Sequence, residues 1–287
     1  MARASPAFGP PVADFEVRGE AGPISWRLER CMRGLAGKRI LVAGSATGIG
    51  AATARRLGQE GAHVFLGDFR IDAAELVAKD IQAAGGTAAA GFFDLHDEKT
   101  IETLVASAVG AYGGLDGLVN VAYEGRAEYH GRDVEILSMD PKVWEIVLHG
   151  NVIGTALMIK YALPHLVETG GGSIVNITSP GASAGESVRV VYGASKGALN
   201  SITRHVANTY GVRGVRCNCV SPGAILTEAG QAAFSQEMRK KMIASMPIKR
   251  LGQPEDPAAT IAYLLSDDAE WITGQIWGVN GGIAFRE

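Results

Sequence analysis

The sequence predicts an α/β fold in which a doubly wound, seven-stranded parallel sheet carries helices on both faces. Seven short β-rich runs alternate with helical patterns after residue 36, an order that is typical of βαβ units around a parallel sheet. Several of these runs, such as residues 40–43, are apolar almost without a break. Continuous apolar strands indicate burial on both faces, as a doubly wound sheet requires.

The individual elements follow from these patterns in chain order. We predict strands over residues 39–43, 63–66, 87–92, 117–121, 173–177, 215–220 and 276–279. Helices fill the gaps, notably over residues 48–60, 97–112, 141–168, 192–210 and 254–265. One domain over residues 37–287 holds all of these elements, including a segment at 224–247 that we expect to contact the substrate.

Residues 1–36 form an N-terminal extension in this interpretation. Residues 2–22 are rich in Ala, Gly and Pro without apolar periodicity, so we expect a mobile or surface-lying tail. Gly22 and Pro23 suit the start of a helix, and apolar residues then recur at helical spacing. They predict a short helix near 23–34, which fits a clamp on the core or on a neighbouring subunit better than a functional lid.

The composition excludes several classes of function. The 287 residues are 47% hydrophobic, enough for one large core. The 27 basic and 30 acidic residues are mixed along the chain, which argues against a nucleic-acid or anionic-membrane surface. Cys31, Cys217 and Cys219 have neither a disulfide nor a metal-binding pattern. We therefore expect a cytoplasmic protein with a small-molecule partner, no signal peptide, no membrane span and no metal.

The first predicted strand runs directly into a glycine-rich turn and then a helix. The turn reads Gly44-Ser-Ala-Thr-Gly48-Ile-Gly50. Glycines permit a tight turn, let the backbone approach a pyrophosphate and allow the helix to pack close to the strand. The helix N-terminus offers free N–H groups and a positive dipole end to phosphates. The sequence therefore predicts a Rossmann-type sheet that binds a dinucleotide.

Two acidic residues follow the next strands. Asp68 follows the second predicted strand, 18 residues after Gly50, where a dinucleotide fold places the acid that binds the adenosine ribose hydroxyls. A carboxylate there repels the extra phosphate of NADP, so we predict NAD as the cofactor. Asp94 follows the third strand, where it is placed either to contact the adenine edge or to cap the next helix.

Tyr192-Gly-Ala-Ser-Lys196 predicts acid–base chemistry. Residues four apart share a helix face, and a cation about 5 Å from a phenol contributes about 3 kcal/mol in favour of phenolate at an effective dielectric near 20. Ser179 directly follows the fifth predicted strand, at the edge where ligands of open sheets bind. Asn151, midway along a predicted helix, is placed to bond a water or to kink that helix.

Together these motifs resemble the classical short-chain dehydrogenase/reductase family over about residues 35–282. The resemblance implies that Tyr192 transfers a proton, Ser179 orients the substrate oxygen, Lys196 binds the nicotinamide ribose and lowers the tyrosine pKa, and Asn151 holds a relay water. It also implies a homotetramer without a metal. The implied cofactor-binding residues are Gly44, Ser45, Thr47, Gly48, Ile49, Gly50, Asp68, Phe69, Asp94, Leu95, Asn120, Ala122, Tyr192, Lys196, Pro222, Gly223, Ile225 and Thr227.

Two positions depart from the family pattern. The family usually begins its turn with Thr-Gly, whereas this chain has Ala43-Gly44, so one hydroxyl that braces the loop is missing. The family's Asn-Asn-Ala-Gly is here Asn120-Val-Ala-Tyr123, which places a tyrosine close to the cofactor.

The predicted function is an NAD-dependent oxidoreductase that acts on a secondary alcohol or ketone. Phe234, Met238, Met242 and Met246 suit core packing but also an apolar, cyclic substrate, whereas Glu186 and Arg189 favour a polar group. One alternative is a 3-oxoacyl reductase acting on acyl-carrier-protein or CoA thioesters, although no basic landing patch is evident. The other is a non-catalytic NAD-binding sensor, against which the Ser, Tyr and Lys motif argues.

Overall fold

The computed structural model describes residues 32–129, 131–185, 188–228 and 235–285. Most of the helix predicted near 23–34 lies outside these residues. Arg33 and Gly34, which are described, form a turn instead of helix. Leu35, directly after the predicted helix, is fully buried. The role predicted for the extension stays a prediction.

The sheet contains seven parallel strands, as predicted, and their order is β3-β2-β1-β4-β5-β6-β7. They are β1 (Arg39–Ala43), β2 (His63–Asp68), β3 (Thr87–Phe92), β4 (Gly117–Asn120), β5 (Gly172–Ile177), β6 (Val215–Pro222) and β7 (Ile276–Val279). The predicted second strand was two residues too short, because Asp68 still pairs with Phe92 of β3. The fourth ends one residue earlier than predicted.

Helices connect the strands. In the described residues, the α-helices are α1 (Gly48–Gln59), α2 (Ile71–Ala83), α3 (Glu98–Tyr112), α4 (Pro141–Leu148), α5 (Thr155–Glu168), α6 (Val190–Tyr210), α7 (Gln236–Ser245) and α8 (Glu255–Leu265). The N-cap of α3 is Asp97, whose side chain accepts from the Lys99 amide. The capping role considered for Asp94 is therefore wrong.

The hydrophobic core lies on both faces of the sheet. Side chains of neighbouring strand residues point to opposite faces. Accordingly, Leu41 belongs to one buried apolar cluster and Val42 to another, and both side chains are fully buried. This arrangement explains why the strands read as continuous apolar runs.

The long helix predicted over residues 141–168 is interrupted. Residues His149–Gly154 form a π-helical segment between α4 and α5, so the prediction of one continuous α-helix was wrong. A Cβ on Gly154 would lie 2.5 Å from the Leu95 carbonyl oxygen, and one on Gly150 would lie 2.9 Å from His96 Nε2. The wider turn therefore lies against the loop that follows β3, at contacts which helical periodicity does not encode.

The same helical run has the composition of a membrane span. Its 28 residues contain a window with a mean hydropathy of 1.4, and half of that window is buried inside the fold. Leu166, Met158 and Ala162 are fully buried in the core. This burial is typical of a central helix in a globular domain.

The strand order places a crevice at one edge of the sheet. Connections from β1 run outward to β2 and β3, whereas the chain returns to β4 on the other side of β1. Ligands of open parallel sheets bind beyond the carboxyl ends of the strands at such a reversal. The segments that follow Ala43, Asn120, Ile177 and Pro222 all leave the sheet at this edge.

Candidate active site

Helix α6 places Tyr192 and Lys196 on one face, as their spacing predicts. The Nζ atom of Lys196 lies 5.6 Å from the centre of the Tyr192 ring. The guanidinium carbon of Arg189 lies 5.1 Å from the centre of the same ring. Two cations therefore lie near one phenol, and nearby positive charge favours its deprotonated form.

Lys196 is buried, with 2% of its surface exposed. Its ammonium donates a hydrogen bond of 2.9 Å to the carbonyl oxygen of Ile177, at the end of β5. Burial lowers the pKa of Lys196 to about 8, and interaction with Cys219 opposes that shift. Lys196 therefore changes its charge much closer to neutral pH than an exposed lysine does.

Ser179 begins a short turn directly after β5. Its Oγ accepts a hydrogen bond of 3.2 Å from the Gly181 amide. This turn packs against α6, because a Cβ on Gly193 would lie only 2.8 Å from the Gly181 carbonyl oxygen. The turn therefore adjoins the start of the helix that carries Tyr192.

Asn151 lies in the π-helical segment and is almost fully buried. Its Nδ2 donates to Ser195 Oγ at 2.9 Å, and its Oδ1 accepts from the Glu124 amide at 2.6 Å. Ser195 in turn donates to the Tyr192 carbonyl oxygen at 2.7 Å. Asn151 thus links the π-helical segment to α6 and to the chain that follows β4.

A buried carboxylate lies next to Asn151. Glu124 is 4% exposed and is paired with the guanidinium of Arg126. It also lies 2.8 Å from His96 Nε2, and the His96 ring stacks on the His149 ring at 5.4 Å. Burial raises the pKa of Glu124, but hydrogen bonds from Arg126 and His96 hold it below its usual value. Glu124 is therefore an ionised group inside the protein.

The glycine-rich turn has the geometry of a phosphate cradle. Gly44 and Gly48 have φ values of 92° and 53°, which favour glycine. A Cβ on Gly50 would lie 1.8 Å from the Gly44 carbonyl oxygen, so a side chain cannot fit there. The first turn of α1 contains no acidic residue, and its amides are suited to a pyrophosphate.

Ser45 replaces the brace that the turn was expected to lack. Its hydroxyl donates to the Gly67 carbonyl oxygen at 3.1 Å. That oxygen also accepts from the Gly44 amide at 2.7 Å. The hydroxyl missing at Ala43 is therefore compensated two residues later.

Asp68 joins the end of β2 to the same turn. Its Oδ2 accepts from the Ala46 amide at 2.8 Å and its Oδ1 from the Arg70 amide at 2.9 Å. The guanidinium of Arg70 donates to Thr47 Oγ1 at 2.8 Å. Asp68 lies at the position predicted for ribose binding, and Arg70 lies next to it.

Three of the implied cofactor-binding residues lie at the ends of β2 and β3. Phe69 is 64% exposed and its ring lies 5.7 Å from that of Phe92. Asp94 Oδ1 accepts from the His96 amide at 2.8 Å. Leu95 packs on the core cluster of α3 and α5. Phe69 thus offers an exposed aromatic face at this edge of the crevice.

The chain after β4 runs close to the glycine-rich turn. The Ala122 amide donates to the Ala43 carbonyl oxygen at 2.9 Å, and a Cβ on Gly44 would lie 2.4 Å from the Ala122 nitrogen. Asn120 donates from its Nδ2 to Asn176 Oδ1 at 2.8 Å. Its side chain therefore links β4 to β5.

The segment that follows β6 contacts the glycine-rich turn. Pro222 ends β6, and the Gly223 amide donates to the Val279 carbonyl oxygen at 3.0 Å. Ile225 is 9% exposed. A Cβ on Gly48 would lie 2.9 Å from the methyl carbon of Thr227. The Gly48 amide also donates to Glu228 Oε2 at 3.2 Å, so this segment contacts the phosphate end of the crevice.

Residues 43–284 match the family model described as enoyl-(acyl carrier protein) reductase. The chain is 37% identical over 257 residues to a 7alpha-hydroxysteroid dehydrogenase of Clostridium sardiniense, covering 88% of this chain and 95% of that protein. The chain belongs to the short-chain dehydrogenase/reductase family. It is an NAD-dependent oxidoreductase that moves a hydride between the nicotinamide and a secondary alcohol or ketone.

Two further relatives extend the comparison. This dehydrogenase is 38% identical over 244 residues to the cis-4-hydroxycyclohexanecarboxylate dehydrogenase of Sinomonas cyclohexanicum, covering 84% of this chain and 94% of that protein. A solved structure of a 7 alpha-hydroxysteroid dehydrogenase, complexed with NADH and 7-oxo glycochenodeoxycholic acid, superposes with a TM-score of 0.80 at 33% identity. That alignment covers 86% of this chain and 94% of the solved chain.

Three residues that support the site of this dehydrogenase were not predicted from the sequence. Glu124 and Ser195 hold Asn151, and Asp133 holds the start of α6 through the amides of Arg189 and Val191. Ser195 carried a local signal, since it lies one turn after Tyr192. The acid at 124 carried a weaker one, its place directly after β4.

Proposed function

We propose that this dehydrogenase interconverts a hydrophobic, cyclic secondary alcohol and its ketone. The observation that carries the proposal is a set of exposed apolar side chains on the segments that leave the carboxyl edge of the sheet. Their exposed apolar residues are Tyr123, Val134, Ile136, Leu137 and Met139 after β4, Val188 after β5 and Met238 after β6. The names of the relatives, a hydroxysteroid and a hydroxycyclohexanecarboxylate dehydrogenase, support a cyclic substrate.

The proposed chemistry is distributed over four side chains. NAD supplies the hydride acceptor when it is bound. Tyr192 exchanges a proton with the substrate oxygen, which Ser179 orients. Lys196 stabilises the phenolate and binds the nicotinamide ribose. Asn151 holds a relay water, because an amide with two N–H groups and two lone pairs retains capacity beyond its bonds to Ser195 and Glu124.

A substrate panel tests this proposal. NADH formation is measured with hydroxysteroids, substituted cyclohexanols and 3-hydroxyacyl-CoA thioesters. We expect the highest kcat/KM with a cyclic alcohol. The second candidate is a 3-oxoacyl reductase, since the description of the matching family model also names an acyl-carrier-protein substrate. A higher kcat/KM with the thioester would replace the first proposal by the second.

We infer that the protein assembles as a homotetramer. Large aromatic side chains lie exposed at the surface, with Trp271 96% and Phe285 87% exposed. Burying aromatic side chains in a subunit interface is favourable because it removes apolar area from water. Sedimentation equilibrium of the full chain tests the assembly, and a monomer at micromolar concentration would refute it.

A cytoplasmic location without a nucleic-acid or membrane partner is also proposed. Cys217 and Cys219 are buried free thiols, which suit a reducing compartment. Cell fractionation followed by immunodetection tests the location. Recovery in the membrane or secreted fraction would contradict it.

A further inference from the structure

Tyr123 occupies a position where the family pattern has glycine, and its side chain reaches the reacting groups. Its ring lies edge-on to the Tyr192 ring, with centres 6.1 Å apart and an interplanar angle of 69°. The Lys196 Nζ atom lies 5.6 Å from the centre of the Tyr123 ring, the same distance as from the Tyr192 ring. One ammonium therefore contacts two aromatic rings.

The chain makes room for this ring at Gly125. A Cβ on that glycine would lie 2.9 Å from Tyr123 Cε2 and 3.0 Å from Cζ. No real Cβ tolerates such an approach, so any side chain at 125 must displace the ring. Gly125 has no positive φ that would otherwise require glycine. The position of the Tyr123 ring therefore depends on a glycine at residue 125.

The ammonium at this site needs electrostatic compensation. Lys196 is almost fully buried, and removal of water disfavours the charged form of a lysine. The Ile177 carbonyl oxygen accepts one of its three N–H groups. The face of an aromatic ring carries negative charge density, and its attraction for a cation is strongest when the cation is desolvated.

We propose that Tyr123 is a positioning residue that keeps Lys196 in its ammonium form beside Tyr192 through the face of its ring. Tyr123 acts through Lys196, and the ring matters rather than the hydroxyl. The inference rests on the proton-transfer role proposed above for Tyr192. According to this proposal, Tyr123 does more than occupy space near the cofactor, because its ring stabilises a charged group of the site.

Other charged or titratable groups face the same cluster and remain in place in the variants below. Cys219 of β6 interacts with Lys196. Arg189, at the start of α6, and Glu124, after β4, act on Tyr123 in opposite directions. Because none of these groups is altered, a change in pH dependence can be attributed to the ring.

Tyr123→Leu and Tyr123→Phe separate the ring from the hydroxyl. Phenylalanine retains the aromatic face, whereas leucine is apolar without one. For the holoenzyme, kcat is measured as a function of pH, and NADH affinity is measured over the same range by fluorescence titration. In Tyr123→Leu the alkaline limb of both profiles moves to lower pH by about one unit, since the ammonium is less stable. In Tyr123→Phe both limbs stay at the wild-type position.

Two further variants make the test specific. Tyr161→Leu removes a partly buried tyrosine, remote in sequence from the site, whose ring lies 4.7 Å from Lys160, and it leaves both limbs unchanged. Gly125→Ala displaces the Tyr123 ring and shifts both limbs in the direction of Tyr123→Leu. The double variant Tyr123→Leu/Gly125→Ala shifts the two alkaline limbs no further than Tyr123→Leu alone, because the alanine then has no ring to displace.

Three results would overturn the inference. Wild-type limbs in Tyr123→Leu would show that the ring does not stabilise the ammonium. Equal shifts in the Leu and Phe variants would assign the effect to the hydroxyl. Additive shifts in the double variant would separate Gly125 from Tyr123. Full activity in Tyr192→Phe would refute the proposed proton-transfer role instead, and the pH dependence of NADH binding would still report on Lys196.

Discussion

The carboxylate of Asp68 and the backbone amide of Ala46 are joined by a hydrogen bond of 2.8 Å. This bond fixes the end of β2 to the glycine-rich turn, and it holds one negative charge at the position predicted for the adenosine ribose. A second like charge about 5 Å away costs about 3 kcal/mol at an effective dielectric near 20. The 2′-phosphate of NADP therefore meets repulsion that NAD does not.

Asp68→Ala should reduce the preference for NAD over NADP by about a hundredfold, the factor that this repulsion corresponds to. The ratio of kcat/KM for the two cofactors measures it. Arg70 borders the site through its bond to Thr47, so Asp68→Ala/Arg70→Ala should bind NADP more weakly than the single variant. An unchanged cofactor ratio in Asp68→Ala would contradict the role of this carboxylate.

Tyr192→Phe should lower kcat by at least about a hundredfold, the lower bound for loss of a general acid or base. The substitution keeps the ring near Lys196 and Arg189, so the surroundings are preserved. NADH affinity should stay within about twofold, because the predicted phosphate contacts lie on the glycine-rich turn and not on Tyr192. Residual activity within tenfold of wild type would exclude Tyr192 as the proton donor.

The sheet was predictable because buried parallel strands leave a local record in the sequence. Residues 40–43 read as a strand without knowledge of their neighbours, and Tyr192 and Lys196 read as a pair from their helical spacing. The π-helical segment was not predictable in this way. Its glycines contact Leu95 and His96, more than fifty residues earlier.

The bonds around Asn151 show the same limit within the site. Asn151 itself was identified from the family pattern, but its partners Glu124 and Ser195 are 27 and 44 residues away. No local periodicity relates them. The positive φ of 62° at Arg189 is likewise set by the hydrogen bonds to Asp133, which lie outside the helix that Arg189 precedes.

Glu124→Gln should destabilise the protein at pH 7 and lose this effect in acid. Glu124 has a pKa held below its usual value by Arg126 and His96, so it contributes stability above the pKa of an unfolded glutamate, about 4.3. That contribution, about 1.5–3 kcal/mol for charged hydrogen bonds, is lost as the pH falls through the folded value.

Thermal unfolding of wild type and Glu124→Gln between pH 7 and pH 3 measures this loss of the stability difference. The melting temperatures should differ most near neutrality and approach each other in acid, where wild-type Glu124 is protonated and resembles glutamine. Glu102→Gln is the matched control, since that glutamate pairs with Lys99 in an exposed ion pair, which contributes little. A difference in melting temperature between wild type and Glu124→Gln that stays constant from pH 7 to pH 3 would show that the charge of Glu124 does not cause the stabilisation.

Lys196→Met should abolish turnover and yet raise the melting temperature at pH 7. Burial lowers the pKa of Lys196 to about 8, so folding with a charged lysine costs about 3 kcal/mol below that pH. Loss of the bond to the Ile177 carbonyl oxygen offsets about 1 kcal/mol of the gain. Between about pH 8 and 10 the unfolded state binds more protons than the folded state, so wild type gains stability as the pH rises. The advantage of the methionine variant should therefore shrink across that interval, and a lower melting temperature than wild type at pH 7 would contradict the predicted burial cost.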